Sequence, residues 1–320
     1  MLFEKAVINK YKKRILARRD ADGTQHYFAP SDFAGLLWDD IDFTGDRGQR
    51  LYGHIYYRGA KRSDTLLVFD HGMGCGHVAY MKEIDLLTER GFTVATYDHT
   101  GTRSSEGEDI GCMAQSLADL ECFIGALKKT ELGNSEIAVI GHSWGGFSAM
   151  NIPALCPEVK KVVAISGFVS THQVLEDALT GFLKLYRRAI LKAEDAVIPR
   201  LNGISSVESL KNSGASALII HSRDDSTVRF ETSYTVLKEA LEAGGRVEFL
   251  AENKKLHHPT YTREAVRYRD EFSKERKRLK KRGLLNTPEQ KAAFVASYDF
   301  DRMTEQDSLV WDRIVEFLNR

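Results

Sequence analysis

The chain has 320 residues, 42% hydrophobic and 28% charged, with 45 basic and 45 acidic side chains and a formal net charge of zero. That is an ordinary globular composition, with room for one large α/β domain or two small ones. Neutrality gives no electrostatic argument for nucleic acid or an anionic membrane as partner, and no segment is long and apolar enough to span a bilayer.

Residues 4–19 read as a helix with Ala6, Val7, Tyr11, Ile15 and Leu16 on one face and a solvated basic face opposite. The segment is charged throughout and lacks the apolar run of a signal peptide, so a cytoplasmic location is expected. Strands are predicted over 38–43 and 51–57, joined by the turn Gly45-Asp46-Arg47-Gly48. Apolar runs then alternate with amphipathic helices: strand 66–69, helix 78–89, strand 92–97, helix 113–127, strand 137–140, helix 147–155 and strand 162–165. Strand 217–221, helix 229–243 and strand 247–250 resume the pattern after an interruption. This alternation predicts an α/β fold with a mostly parallel sheet covered by helices on both faces.

The interruption contains a helical pattern from Val174 to Ile190 that is apolar on more than one face. Such a helix buries two sides or covers a pocket, and a lid over the C-terminal edge of the sheet is expected. The domain reading is a helical extension over 1–37, a core of 38–167 and 215–320, and a helical lid insertion over 168–214. After 260 the chain reads as helical. A helix over 263–282 ends at Gly283, and its basic stretch near 274–282 reads as solvated. Thr287-Pro288-Glu289-Gln290 is a capping-box signature, and the last helix puts Val310, Ile314 and Phe317 on one face, with Trp311 and Leu318 beside it. Cys75, Cys112, Cys122 and Cys156 lack paired metal spacing and read as reduced, mostly buried thiols.

The chemistry-bearing segment is the run 137–150. An apolar strand breaks into Gly141-His142-Ser143-Trp144-Gly145-Gly146 and a helix follows. Strand, sharp turn and helix put Ser143 at the apex of G-x-S-x-G, in a strained conformation that exposes its hydroxyl; a Cβ two residues to either side would clash with backbone. A serine needs a base to take its proton, and the base needs a carboxylate to hold its tautomer. Open parallel sheets gather functional groups at the C-terminal ends of strands. Asp224 and Asp225 follow the strand 217–221, and His257 and His258 follow the strand 247–250.

On these residues the chain, over roughly 50–260, resembles the α/β-hydrolases, and more narrowly the monoacylglycerol-lipase-like esterases and S33-type peptidases. GHSWGG matches the nucleophile elbow, IIHSRDDSTV the acid turn and KLHHP the family's K-G-H-N-P loop, with Leu256 in place of the family glycine. The resemblance implies a catalytic triad of Ser143, Asp225 and His257, with Asp224 as the second-choice acid and His258 a neighbour. It also implies an oxyanion hole from the backbone N–H groups of Trp144 and Met73 in the loop Asp70-His71-Gly72-Met73-Gly74-Cys75-Gly76. His71 is expected to orient that loop, and Cys75 to be a small pocket or core residue. Tyr97-Asp98-His99-Thr100-Gly101-Thr102-Arg103-Ser104 resembles the family's D-x-x-G-x-G-x-S loop, departing at Thr102, with Asp98 and Ser104 organising loops.

The implied activity is hydrolysis of a carboxylic ester through an acyl-enzyme, with a small-molecule substrate and no metal or organic cofactor. His71, Phe168, Phe182, Leu183 and Tyr186 are the substrate-pocket candidates. A peptidase or amidase is the alternative; an aminopeptidase would need acids such as Glu176, Asp177, Glu194 and Asp195 to hold a free amine, although these read as helix-surface charges. A non-catalytic binder on the same fold is the third reading.

Overall fold

The computed structural model describes residues 2–61, 64–74 and 76–320. Its centre is one eight-stranded sheet in the order β1-β2-β4-β3-β5-β6-β7-β8. β1 (Leu37–Thr44) and β2 (Arg50–Tyr57) form an antiparallel hairpin closed by Gly45 N–H to Gln49 O at 2.8 Å. β2 also runs antiparallel to β4 (Thr93–Tyr97). The pairs among β3 (Thr65–Asp70), β4, β5 (Glu136–His142), β6 (Lys161–Ile165), β7 (Ser216–Ser222) and β8 (Val247–Glu252) are parallel.

Alternation along each strand sorts side chains onto two cores. Leu66, Val68, Val139 and Ile219 join the cluster beneath α3 (Gln115–Leu127), α4 (Trp144–Asn151) and α9 (Val236–Leu241). Leu67, Phe69, Ile140 and Ile220 face the cluster with α2 (Met81–Glu89). The last helix, α13 (Ser308–Asn319), docks on that second face through Val310, Trp311, Ile314, Phe317 and Leu318, all buried as its periodicity predicts. Each such apolar side chain contributes on the order of 2 kcal/mol.

The region between β8 and α13 forms its own small core. α10 (Arg263–Lys281) ends before Gly283 at φ +71°, as the glycine predicts. α11 (Pro288–Ala296) starts at the Thr287–Gln290 capping box, and α12 (Phe300–Met303) follows. Phe272, Leu285, Phe294, Phe300 and Met303 pack there.

Two helical expectations change. The N-terminal helix stops early: α1 (Leu2–Tyr11) widens into a single π-turn, Lys12–Leu16, and the chain then extends to Arg19. Tertiary contacts decide this. Leu16 is fully buried, and Arg18 Nη1 donates to the carbonyls of Ser105 at 3.0 Å and Gly107 at 2.8 Å. In the insertion, the run 174–190 is not one helix but parts of α5 (Thr171–Ala178), α6 (Phe182–Leu185) and α7 (Arg187–Asp195). Gly181 at φ +57° turns the chain between the first two, so the apolar faces of a broken helix point to different neighbours. α8 (Ser206–Asn212), which the periodicity did not single out, closes the insertion against α4. Cys112 and Cys156 are buried and Cys122 is partly buried, all unpaired. Cys75 lies outside the described residues.

Candidate active site

Ser143 sits between β5 and α4 at φ 56°, ψ −110°, the strained turn that its motif predicts. Its N–H donates to Ile165 O at 2.8 Å, fixing the elbow to β6. The flanking glycines have steric causes. A Cβ on Gly141 would lie 2.1 Å from Gly145 O, and one on Gly145 would lie 2.0 Å from Asp70 O. From 141 to 150 every residue except Ser143 is buried, and Ser143 is partly exposed.

Asp225 follows β7 in a turn that aims donors at it. Oδ1 accepts the N–H groups of Thr227 at 2.8 Å and Val228 at 3.0 Å. Oδ2 lies 2.6 Å from His257 Nδ1 and 3.2 Å from His221 Nε2. Burial works to raise this carboxyl, but the hydrogen bonds from His221 and His257 outweigh it and hold Asp225 well below the usual carboxylate range. A charged carboxylate accepts only, so His257 carries its proton on Nδ1 and leaves Nε2 as a proton acceptor. Asp224 does different work: it accepts from Ser222 Oγ at 2.6 Å and from Lys255 N–H at 3.3 Å.

The loop carrying His257 is fastened at Lys255. Lys255, 1% exposed, places Nζ 2.7 Å from Asp307 and 3.1 Å from Glu252. Leu256, standing where the resemblance expects glycine, adopts φ +46°, at a cost of about 1–2 kcal/mol. Its side chain packs on Tyr261, Ala265 and Val266, which offsets part of that strain. The carbonyl of His257 meets His142 Nε2 at 2.8 Å, so the loop rests on the residue preceding Ser143. The structure thus joins His257 to Asp225 and seats both beside the elbow. Among the described residues Ser143 Oγ and His257 Nε2 share no hydrogen bond.

The loop after β3 approaches the elbow from the other side. Gly72 N–H donates to Tyr80 Oη at 3.1 Å, and Met73 is partly buried with Sδ 3.5 Å from Arg19 Nη2. Trp144 opens α4, where helix geometry leaves its N–H without an intrahelical acceptor. His71 is fully buried; Nδ1 lies 2.7 Å from Gly72 O, and Nε2 accepts from His99 N–H at 3.1 Å. Behind it, His99 lies 3.0 Å from Asp70 and 3.5 Å from Asp119. Burial disfavours its charge, but the two carboxylates win and push its pKa up to about 10. His99 also packs 4.8 Å from the ring of Trp144.

Of the pocket candidates, Phe168 is stacked on Phe147 at 4.8 Å and is 2% exposed, and Leu183 is buried too. Phe182 and Tyr186 pair at 5.0 Å toward the surface of the insertion. A cleft of about 690 Å³ lies away from these residues, between 21–27 and α11. Asp98 organises its loop by accepting both the N–H and Nδ1 of His77, at 2.9 and 2.8 Å. Glu194 is not a surface charge: 6% exposed, it accepts from Tyr11 Oη at 2.8 Å and Met113 N–H at 2.6 Å. Met113 O in turn accepts from Trp144 Nε1 at 2.6 Å. Sequence reasoning missed His142, His221 and the binding of Glu194. His142 was within the motif itself; the other two carried no spacing signal.

The profile of a family described as serine aminopeptidase, S33, matches residues 61–261. The chain belongs to that family. This S33 member has the α/β-hydrolase fold, and the coarse chemistry of a serine hydrolase comes with the family. Among solved structures, an esterase from Pyrococcus furiosus, Pf2001, aligns at TM-score 0.60 and 20% identity, over 83% of this chain and 99% of that one. An acylaminoacyl peptidase from Pyrococcus horikoshii aligns at 0.55 and 18%, over 71% of this chain and 38% of that one. The esterase domain of a Rhodothermus marinus protein aligns at 0.51 and 20%, over 69% and 90%. At these identities the likeness is one of fold. No curated protein sequence matches significantly.

Proposed function

We propose that this S33 member hydrolyses a carboxylic ester by acyl transfer to Ser143, with His257 as base and Asp225 as its orienting carboxylate. The observation that carries this reading is the 2.6 Å contact between His257 Nδ1 and Asp225 Oδ2, on a loop whose backbone rests on His142. In the proposed cycle Ser143 Oγ attacks the ester carbonyl carbon while His257 Nε2 takes the hydroxyl proton. The N–H groups of Trp144 and Met73 receive the oxyanion, and His257 returns the proton to the departing alcohol. Water then attacks the acyl-enzyme, again losing a proton to His257, and the acid leaves as Ser143 recovers its hydrogen. Asp225, kept ionised by its donors, stabilises the imidazolium at both stages.

The aminopeptidase reading needs free carboxylates for a substrate amine. Three of the four candidates are engaged elsewhere: Glu194 as above, Asp177 with Thr232 Oγ1 at 2.6 Å, and Asp195 with His172 at 2.7 Å. That supports an ester over a free N-terminus. The test treats the protein and Ser143→Ala with a fluorophosphonate probe, then profiles p-nitrophenyl esters of graded length against aminoacyl anilides. Labelling confined to Ser143 and faster ester turnover are expected. Absence of labelling would favour a binder, and faster anilide turnover a peptidase.

A further inference from the structure

The zero net charge of the whole chain conceals an uneven surface. α1 and the turn after it carry Lys5, Lys10, Lys13 and Arg14, all exposed. The insertion carries Lys184, Arg187, Arg188 and Lys192, also all exposed. Among the described residues none of these cations has a carboxylate within ion-pair distance. Nearby acids are spoken for: Glu194 is buried against Tyr11 and Met113, and Asp195 is held by His172. Glu4 is the exposed acid on this surface.

The two cation-bearing segments pack side by side. α1 packs on α7, Tyr11 Oη donates to Glu194 at 2.8 Å, and Glu4 lines a shallow hollow of about 530 Å³ with Lys184, Arg187 and Arg188. Leu185 projects from that hollow 80% exposed, with Phe182 46% exposed one turn earlier. Water solvates the cations but not Leu185, whereas an apolar protein groove accepts Leu185 but not the cations. The surface of an anionic bilayer takes both: headgroup phosphates neutralise lysine and arginine, and an apolar tip enters the acyl boundary. Nucleic acid offers the charge without the apolar layer.

We propose that the face built by α1 and residues 181–192 docks on a bilayer containing anionic lipid, with Leu185 as the inserted tip. The proposal stands apart from the ester reading, because it concerns where the chain binds and not what it cleaves.

The experiment floats the full chain with vesicles of phosphatidylcholine alone and with vesicles containing about 30% phosphatidylglycerol, at about 0.1 M salt and again at about 0.5 M. Partition into the anionic vesicles, weakened by salt and absent from the neutral ones, is the expected result. Leu185→Asp and the combined Lys184→Glu, Arg187→Glu, Arg188→Glu variant should each lower that partition more than about tenfold. Their melting temperature and probe labelling in vesicle-free buffer should stay at the parent level, which shows that both variants fold. No partition into either vesicle, equal partition into both, or variants that float like the parent would overturn the proposal. So would salt-sensitive binding of polyuridylate without vesicle binding. An unreactive Ser143 would leave these flotation results unchanged and would count only against the ester reading.

Discussion

His142 Nε2 lies 2.8 Å from the carbonyl oxygen of His257, and the proton between them has one possible owner. A carbonyl only accepts, so Nε2 donates. Nδ1, 2.8 Å from Tyr80 Oη, therefore accepts the phenol's proton, and Tyr80 Oη accepts Gly72 N–H at 3.1 Å. One neutral imidazole next to the nucleophile thus ties the His257 loop to the loop that carries Met73. Burial first, and the neighbouring His257 second, push the pKa of His142 down to about 3, which keeps it neutral in this role.

Tyr80→Phe keeps the ring and cuts the link. Nδ1 loses its donor, and Gly72 N–H loses its acceptor. Turnover is expected to fall about 10- to 100-fold with KM nearly unchanged, because the defect is in positioning. Stability should fall only about 1 kcal/mol. Steady-state kinetics with a p-nitrophenyl ester, read beside urea unfolding, check this; a change confined to KM would refute it.

The two adjacent aspartates should separate cleanly. Asp225→Asn removes the carboxylate that holds the Nδ1 proton of His257 and should cost on the order of 10⁴ in kcat. Asp224→Asn, which touches Ser222 and Lys255 N–H, should cost several-fold at most. Equal losses would mean that the acid assignment is wrong.

Stability should decline on the alkaline side. The folded pKa of His99, about 10, stands above its ordinary 6.5. A raised base contributes fully below about pH 6.5 and loses its contribution as pH climbs through about 10. Urea unfolding from pH 6.5 to 10 should therefore show a falling free energy. His99→Gln should be less stable at neutral pH, since Asp70 and Asp119 lose their cation, but should lack most of that slope. A parent curve flat across this window would contradict the charged state of His99.

Lys255 tests the anchoring of the base loop. Its buried ammonium bridges Asp307 and Glu252, both partly solvated. Lys255→Met removes the charge and leaves two carboxylates that water can reach, so the destabilisation should be about 1–2 kcal/mol, not the larger cost of stranding a buried ion. Activity should fall further than that loss explains, because residues 253–259 carry His257. Denaturant midpoints and kcat measured together decide it.

Much of this was legible along the chain because it is local. The strand-turn-helix around Ser143, the glycine after α10, the Thr287 capping box and the apolar stripe of α13 are each written within a few neighbours. They follow from backbone sterics and side-chain periodicity. The break at Gly181 and the early end of α1 were misread for the opposite reason. Periodicity ran on through both; the positive φ of Gly181 breaks the first, and distant partners, the Ser105 and Gly107 carbonyls for Arg18, end the second.

The amino-acid order alone determined the fold class, the elbow serine and the succession of serine, acid and histidine along the strand ends. Only the folded chain assigned Asp225 and Asp224 to different partners, made Glu194 a buried clasp between Tyr11 and Met113, and gave Leu256 its left-handed backbone. The physical reason is range: His257 lies 32 residues from Asp225 and Tyr11 lies 183 from Glu194, and a partner at such a distance leaves no mark on local spacing.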